Sequence, residues 1–168
     1  MIPKERNFAF IDSQNLYTEL KKCGWKIDYK KLRIYLREKY SVDRAYIFIG
    51  YLKGNEDLYE LFNIEGFECI FKPTKLLRDG DIKGNCDAEL VLHANRLFGD
   101  YDKAVIISGD GDFSCLIEYL IFHNKLKELM VPNRNRYSGF LKRFRAHTAY
   151  FNDLRNKLEK KTPLGTEP

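Results

Sequence analysis

Short apolar runs alternate with amphipathic stretches along almost the whole chain. Runs rich in β-branched and aromatic residues predict strands at 8–11, 44–50, 67–71, 103–107 and 128–131, and a short last strand at 148–151. Between these runs the apolar residues recur at helical spacing, as at Leu16 and Leu20. Repeated alternation of strand and helix is typical of an α/β fold whose mainly parallel sheet is covered on both faces.

Capping residues set the expected limits of the helices. Ser13 is expected to cap the first helix, and Asp28 or a neighbour is expected to begin the second. Gly66 suits the end of the helix that follows the second strand, because glycine adopts the left-handed conformation common there. A further helix is expected around residues 138–145.

The remaining segments bound the domain. Residues 74–84 are predicted to form a charged loop with a turn at Asp79–Gly80. The length and the continuous strand-helix pattern favour one domain over residues 1–160. Residues 161–168 are rich in glycine and proline, and we expect a disordered tail there.

Polar residues concentrate at the points where predicted strands end. Asp12 directly follows the first strand, and Asn15 comes one helical turn later. Asp110 and Asp112, separated by one glycine, lie between the strand at 103–107 and the next helix. In an open α/β sheet, ligands bind at this carboxyl edge. Two carboxylates so close repel each other unless a positive group lies between them, and a divalent cation prefers such oxygens.

A further carboxylate is predicted near the same edge. Asp87 ends a glycine-containing turn and begins a helix, where the helix dipole favours a negative charge. Each aspartate alone has an ordinary explanation as a helix cap or a turn residue. Four carboxylates on one edge, however, are costly without a counterion. The pattern therefore favours a divalent-cation site built from Asp12, Asp87, Asp110 and Asp112.

Three of these stretches together resemble the NYN domain family. They are Phe-Ile-Asp-Ser-Gln-Asn at 10–15, Lys-Gly-Asn-Cys-Asp-Ala-Glu-Leu at 83–90 and Ile-Ser-Gly-Asp-Gly-Asp-Phe at 107–113, and they occur in the family's order. NYN proteins are PIN-like and are related to metal-dependent ribonucleases. The resemblance covers about residues 5–155, nearly the whole chain.

The resemblance implies a fold and a site. The implied fold is a Rossmann-like three-layer α/β/α sandwich with a mainly parallel sheet, carrying a Mg²⁺ or Mn²⁺ site at its carboxyl edge. Carried over position by position, the implied catalytic residues are Asp12, Asn15, Asp87, Asp110 and Asp112. The resemblance also implies a homodimer, since PIN-like domains often pair.

One position departs from the family pattern. Family members often carry a further acid in the helix after the Lys-Gly motif, where this chain has His93. A histidine can ligate Mn²⁺ but does not supply the same negative charge. From the residues alone, Glu89, His93 and Arg96 share one helical face, for which the simpler interpretation is a solvent-exposed polar stripe.

The cysteines and the apolar runs of the sequence indicate the cellular compartment expected for the protein. The four cysteines are scattered and form no Cys-x-x-Cys pair. Cys69 and Cys115 lie in apolar runs and are expected to be buried free thiols, which fits a reduced, cytoplasmic setting. The first residues lack the apolar core of a signal peptide, and no apolar run is long enough to cross a membrane.

The net charge of +5 is distributed unevenly. No acidic residue occurs between Glu128 and Asp153. Basic groups neutralise phosphates and exposed rings stack on unpaired bases, so this segment is a candidate RNA surface. The predicted RNA-binding residues are Lys83, Arg134, Arg136, Lys142 and Arg143. Alternatively, Phe140, Leu141 and Phe144 belong to the core and the arginines form a solvated face, while Lys83 is a surface lysine.

These observations lead to competing functional hypotheses. The leading one is metal-dependent hydrolysis of phosphodiester bonds in RNA, with single-stranded RNA as the expected substrate and the cation activating water. The alternative is a catalytically weak or inactive RNA-binding module of the same fold, which His93 in place of an acid favours. A phosphatase or nucleotide-handling enzyme is a third possibility, but the chain lacks a Gly-x-x-x-x-Gly-Lys-Ser loop and an Asp-x-Asp-x-Thr motif.

Overall fold

A computed structural model of the chain describes residues 3–76, 78, 82–83 and 85–163, without the side chains of 75, 76, 82 and 83. The strands are β1 (Asn7–Asp12), β2 (Val42–Tyr51), β3 (Phe67–Pro73), β4 (Lys75–Leu76), β5 (Ile82–Lys83), β6 (Ala104–Ile107), β7 (Leu126–Val131) and β8 (Thr148–Tyr150). The helices are α1 (Ser13–Lys22), α2 (Tyr29–Tyr40), α3 (Glu56–Ile64), α4 (Asp87–Arg96), α5 (Ser114–Phe122) and α6 (Arg155–Leu158). Short 3₁₀ helices cover Gly111–Phe113, Gly139–His147 and Phe151–Leu154.

Among the described residues, six strands form one sheet in the order β3-β2-β1-β6-β7-β8, and every neighbouring pair is parallel. The chain runs from β1 outward to β3 on one side and from β6 outward to β8 on the other. The strand order therefore reverses between β1 and β6. Such a reversal opens a crevice at the carboxyl ends of the two strands, because their connections leave in opposite directions.

Alternate residues of β1 face two separate cores, as expected for a strand with period two. Ala9 and Ile11 belong to a core with residues of α1, α2 and α3, whereas Phe8 and Phe10 belong to a core with residues of α4 and α5. Full burial of a side chain such as Phe10 stabilises the fold by about 1.5–3 kcal/mol. The prediction of a three-layer α/β/α sandwich with a parallel sheet is confirmed.

Most boundary predictions agree with the structure, and the cap of α1 is an exception. Asp28 caps α2 by accepting a 3.1 Å hydrogen bond from Lys31 N, and Gly66 follows α3 with φ +92°. The prediction that Ser13 caps α1 is wrong, and the alternative interpretation of Asp12 as a helix cap is confirmed. Asp12 is the cap, because its Oδ1 accepts a 3.2 Å hydrogen bond from Asn15 N, and Ser13 is the first residue of the helix.

The loop and the segment near the C-terminus also differ from expectation. Residues 74–84 contain the antiparallel pair β4–β5, and the predicted turn at Asp79–Gly80 lies outside the described residues. The helix expected at 138–145 is instead 3₁₀ over Gly139–His147, capped by Ser138 and kinked at Phe144, whose backbone is not helical. Its three-residue repeat places Leu141 and Phe144 on one buried face and leaves Phe140 off that face. The alternative that put Phe140 in the core is therefore wrong.

Two of the smaller predictions concern cysteines and membranes. Cys69 is only partly buried and Cys115 is exposed, so the expectation of two buried thiols is wrong. The buried stripe of α5 is occupied by Leu116, Ile117 and Leu120, which turns Cys115 away from the core.

Within the described part of the chain, no helix is both long and apolar enough to span a bilayer. Residues 164–168, most of the expected tail, lie outside the described residues.

Candidate functional site

The site lies where β1 and β6 end side by side. Ile11 pairs with Ile107 in the parallel ladder, so the next residues, Asp12 and Ser108, are neighbours at the carboxyl edge of the sheet. The Ser108 hydroxyl donates a 2.8 Å hydrogen bond to Asp12 Oδ2. Both positions follow directly from the two apolar runs that form the strands.

Asp12 is a largely buried carboxylate with both oxygens engaged. Oδ1 accepts from the backbone of Asn15, and Oδ2 accepts from Ser108. Burial raises the pKa of Asp12 to about 6, and the negative charges of Asp87 and Asp110 act in the same direction. The two hydrogen bonds act against this rise. Ionised Asp12 is therefore destabilised here, and a nearby cation would relieve that cost.

Hydrogen bonds from α1 and Ser108 fix the loop after β6. Asn15 Oδ1 accepts a 2.8 Å hydrogen bond from Gly109 N, and Ser108 Oγ accepts one of 3.1 Å from Asp110 N. Asp110 Oδ1 then accepts a 2.9 Å hydrogen bond from Asp112 N, which caps the short 3₁₀ helix. Asn15 and Ser108 thus position the aspartates. Sequence reasoning did not assign a role to Ser108, although it stands inside the Ile-Ser-Gly-Asp-Gly-Asp-Phe motif.

Asp87 reaches the site from the first turn of α4. Asn85 brackets it: Asn85 Oδ1 accepts a 2.7 Å hydrogen bond from Asp87 N, and Asn85 Nδ2 donates one of 2.9 Å to Asp87 Oδ2. Partial burial raises the pKa of Asp87, and the charges of Asp110 and Asp112 add to the effect. Lys72 anchors the turn by donating a 2.7 Å hydrogen bond to Asn85 O. Lys72 itself lies on β3.

Three carboxylates converge into one cluster. Oxygens of Asp87, Asp110 and Asp112 all lie within 4.8 Å of one another. Within the described residues, none of the three forms an ion pair with a basic side chain. A set of hard oxygen donors, of which those of Asp87 and Asp110 are partly buried, fits a divalent cation such as Mg²⁺ or Mn²⁺. Asp12 lies outside this group, although sequence reasoning counted it as a direct ligand.

A cleft of about 280 Å³ opens beside the cluster. Its walls include Asp12, Asn15 and Asp110, together with Glu19 one helical turn beyond Asn15. Glu19 is buried and is held by Lys22 at 2.7 Å and Arg136 at 3.8 Å. Sequence reasoning missed Glu19, although its four-residue spacing from Asn15 places both on one face of α1.

His93 lies apart from the acids. Its ring packs edge-on against Tyr46 and Phe48, with centroid distances of 5.4 and 5.6 Å. Burial lowers the pKa of His93, and the positive charge of Arg96 adds to the effect. His93 is partly buried, so the interpretation of a solvent-exposed polar stripe is wrong for this residue. Glu89 on the same helix instead pairs with Lys72 at 3.4 Å.

The predicted RNA-binding residues occupy different environments. Arg134 forms an ion pair with Asp153, Arg136 pairs with Glu19, and Arg143 lies 3.5 Å from Glu118. The ammonium of Lys142 lies 5.9 Å from the ring centre of Tyr137 and has no acidic partner among the described residues. The side chain of Lys83 lies outside the described residues.

The basic segment nevertheless contacts the acidic loop. Ser138 N donates a 3.0 Å hydrogen bond to Gly109 O. A Cβ at Gly111 would lie 2.9 Å from the Cβ of Ser138 and 3.1 Å from Cδ2 of Phe140, and even closer to the Ser138 hydroxyl. Only glycine fits between Asp110 and Asp112 without displacing this segment.

Three comparisons with known proteins bear on this arrangement. The sequence model of the NYN domain matches residues 8–155. The chain is 29% identical over 122 residues to the Low amplitude and bright protein LabA of Synechococcus elongatus, a match that covers 66% of this chain and 65% of that protein. A crystal structure of a protein of unknown function from Vibrio parahaemolyticus is similar over 94% of this chain and 98% of that chain, with a TM-score of 0.77 and 26% identity.

Proposed function

Because this chain belongs to the NYN domain family, which is related to PIN-like nucleases, we propose that it is a divalent-metal-dependent ribonuclease. The observation that carries the proposal is the cluster of carboxylate oxygens from Asp87, Asp110 and Asp112, within 4.8 Å of one another. The cluster lies at the switch point of a parallel sheet, which is where open α/β folds bind their ligands. Single-stranded RNA is the proposed substrate.

Each acidic residue has a distinct proposed role. Asp87, Asp110 and Asp112 hold Mg²⁺ or Mn²⁺, and Asp12 supplies a further negative charge near them. When bound, such a cation activates water and neutralises charge on the phosphate. Asn15 orients the loop through its hydrogen bond to Gly109 N, so it positions the ligands.

The residues around the cleft fit a substrate that carries phosphates. The cluster repels a phosphodiester until a cation is bound, since the three carboxylates lack basic partners among the described residues. Arg136, which pairs with Glu19 at the wall of the cleft, is 63% exposed and is available to a phosphate. RNA binding would thus depend on the cation at the cluster and on the basic groups around it.

The test is RNA cleavage by an Asp110→Asn variant in Mg²⁺ and in Mn²⁺. The substitution keeps the acceptor oxygen for Asp112 N but removes one ligand charge. We expect turnover of a single-stranded oligoribonucleotide to fall by roughly two orders of magnitude or more, as for loss of an electrostatic catalytic group. Asp100→Asn is the matched control, because Asp100 is exposed and precedes β6 at the opposite edge of the sheet. Equal turnover by wild type and Asp110→Asn would overturn the assignment.

A binding module of the same fold is the second candidate. It is favoured by the position of His93, which packs against Tyr46 and Phe48 and adds no ligand to the three acids. Such a module binds RNA but shows no cleavage when Mg²⁺ or Mn²⁺ is added. Measuring RNA affinity and metal-stimulated cleavage on the same preparation separates the two candidates.

A further inference from the structure

Phe140 is an exposed aromatic ring on a well-anchored segment. The side chain is 74% exposed, yet the next residue, Leu141, is buried. Ser138 Oγ accepts a 3.2 Å hydrogen bond from Phe140 N, and Ser138 N donates to Gly109 O at 3.0 Å. The backbone that carries the ring is therefore held in place, while most of the Phe140 side chain is exposed to solvent.

The ring lies directly beside the acidic cluster. Cδ2 of Phe140 would be only 3.1 Å from a Cβ at Gly111, the residue between Asp110 and Asp112. The ring therefore lies against the glycine that separates Asp110 from Asp112.

Exposure alone does not argue for a role, since scattered surface apolar residues are common. Phe122 is 83% exposed, but it ends α5 and therefore lies toward the opposite edge of the sheet. What distinguishes Phe140 is its position next to the candidate metal ligands.

Once a cation is bound at the acidic cluster, the charges around Phe140 favour an anionic partner with a flat apolar part. Lys142 and Arg143 follow Phe140 in the same 3₁₀ helix, and both are exposed. No acidic residue occurs in this segment between Glu128 and Asp153. A nucleotide combines a phosphate for the basic groups with a base for the ring.

We propose that Phe140 is a stacking platform for an unpaired base of the RNA substrate, next to the phosphate that the acidic cluster engages. This inference rests on the proposed ribonuclease function. Bases inside a duplex are stacked on one another and present no free face, whereas those of a single strand do. Phe140 therefore makes the site selective for single-stranded RNA.

The test compares KM and kcat for a single-stranded oligoribonucleotide and for the same sequence in a duplex. Stacking of one base stabilises a complex by about 1–3 kcal/mol, so Phe140→Ala should raise KM for the single strand roughly 5- to 150-fold. We expect kcat to change little, because the contact is made equally before and during the reaction. Phe140→Trp should restore KM, and Phe122→Ala, the matched control, should leave it unchanged.

The outcomes separate this inference from the ribonuclease proposal. If wild type cleaves RNA and Phe140→Ala keeps its KM, the platform is wrong and the ribonuclease proposal stands. If wild type cleaves nothing, fluorescence anisotropy of the labelled oligoribonucleotide decides: weaker binding by Phe140→Ala supports the platform, and equal affinity overturns it. If wild type neither cleaves nor binds the oligoribonucleotide, both proposals are wrong.

Discussion

The loop after β6 and the segment between Glu128 and Asp153 lie against each other, but their charged groups differ in whether they have partners of opposite charge. The acids of the loop gather with Asp87 and have no basic partners among the described residues. Three of the four basic residues predicted within the segment are paired with carboxylates, namely Arg134, Arg136 and Arg143.

The difference follows from how each region is built. The acids stand at strand ends and in a first helical turn, so the sheet topology brings them to one edge. Hydrogen bonds from Asn15, Ser108 and Asn85 then fix the loops that carry them. The basic residues stand on an irregular segment and a 3₁₀ helix, where nearby elements decide their partners. Converging carboxylates without basic partners favour the proposed cation site, whereas exposed ion pairs contribute little to stability and indicate no function by themselves.

The largest expected effect on the free energy of unfolding is that of ionising Asp12, which accepts a hydrogen bond from Ser108 in the loop after β6. Its pKa is raised to about 6 in the fold, so between about pH 4 and pH 6 the folded state binds more protons than the unfolded state. Stability is therefore greatest below this window and falls as the pH rises through it. In the presence of a chelator, the free energy of unfolding of wild type should fall by on the order of 3 kcal/mol relative to that of Asp12→Asn as the pH rises through this window.

The measurement is the free energy of unfolding in urea at several pH values, for both proteins. Asparagine keeps an acceptor for Asn15 N, so the cap of α1 is retained in the variant. A constant difference between the two proteins from pH 4 to pH 7 would show that Asp12 ionises normally.

A smaller effect is expected where the two regions meet, at Gly111. A Cβ there would lie 2.9 Å from the Cβ of Ser138, so Gly111→Ala has to push the segment away from the acidic loop. Overpacking of this kind destabilises a protein by about 1–3 kcal/mol. Denaturant unfolding measures the cost.

Gly139→Ala is the matched control for this change. A Cβ at Gly139 meets no atom within 4 Å, and its backbone has no positive φ. We expect Gly139→Ala to change the free energy of unfolding by no more than about 0.5 kcal/mol. Similar stabilities for the two variants would mean that the loop and the segment are not packed together.

The sequence was sufficient where the physics is local or topological. Apolar runs located the strands that carry Asp12 and Asp110, and the carboxyl-edge rule placed both in one crevice. The sequence was insufficient where a contact from another part of the chain decides the role of a side chain. Asp12 is occupied by the Ser108 hydroxyl, and no pattern of spacing reports that contact.

The type of the helix at Gly139–His147 and the packing of His93 were also not predictable from the sequence. Phe140 seemed to share a core face with Phe144 when an α-helical repeat was assumed, and the 3₁₀ repeat exposes it instead. His93 was predicted to be exposed because Tyr46 and Phe48, which pack against it, lie on β2, far from it in the sequence. The cytoplasmic setting and the homodimer stay predictions.

The central claim is that Asp87, Asp110 and Asp112 form a divalent-cation site. Titration of Mn²⁺ into wild type, Asp110→Asn and Asp100→Asn, followed by calorimetry, tests it most directly. We predict one saturable site in wild type and in Asp100→Asn, and an affinity at least tenfold weaker in Asp110→Asn, because a charged ligand is lost. Equal Mn²⁺ affinity in all three proteins, or no binding by wild type, would contradict the claim.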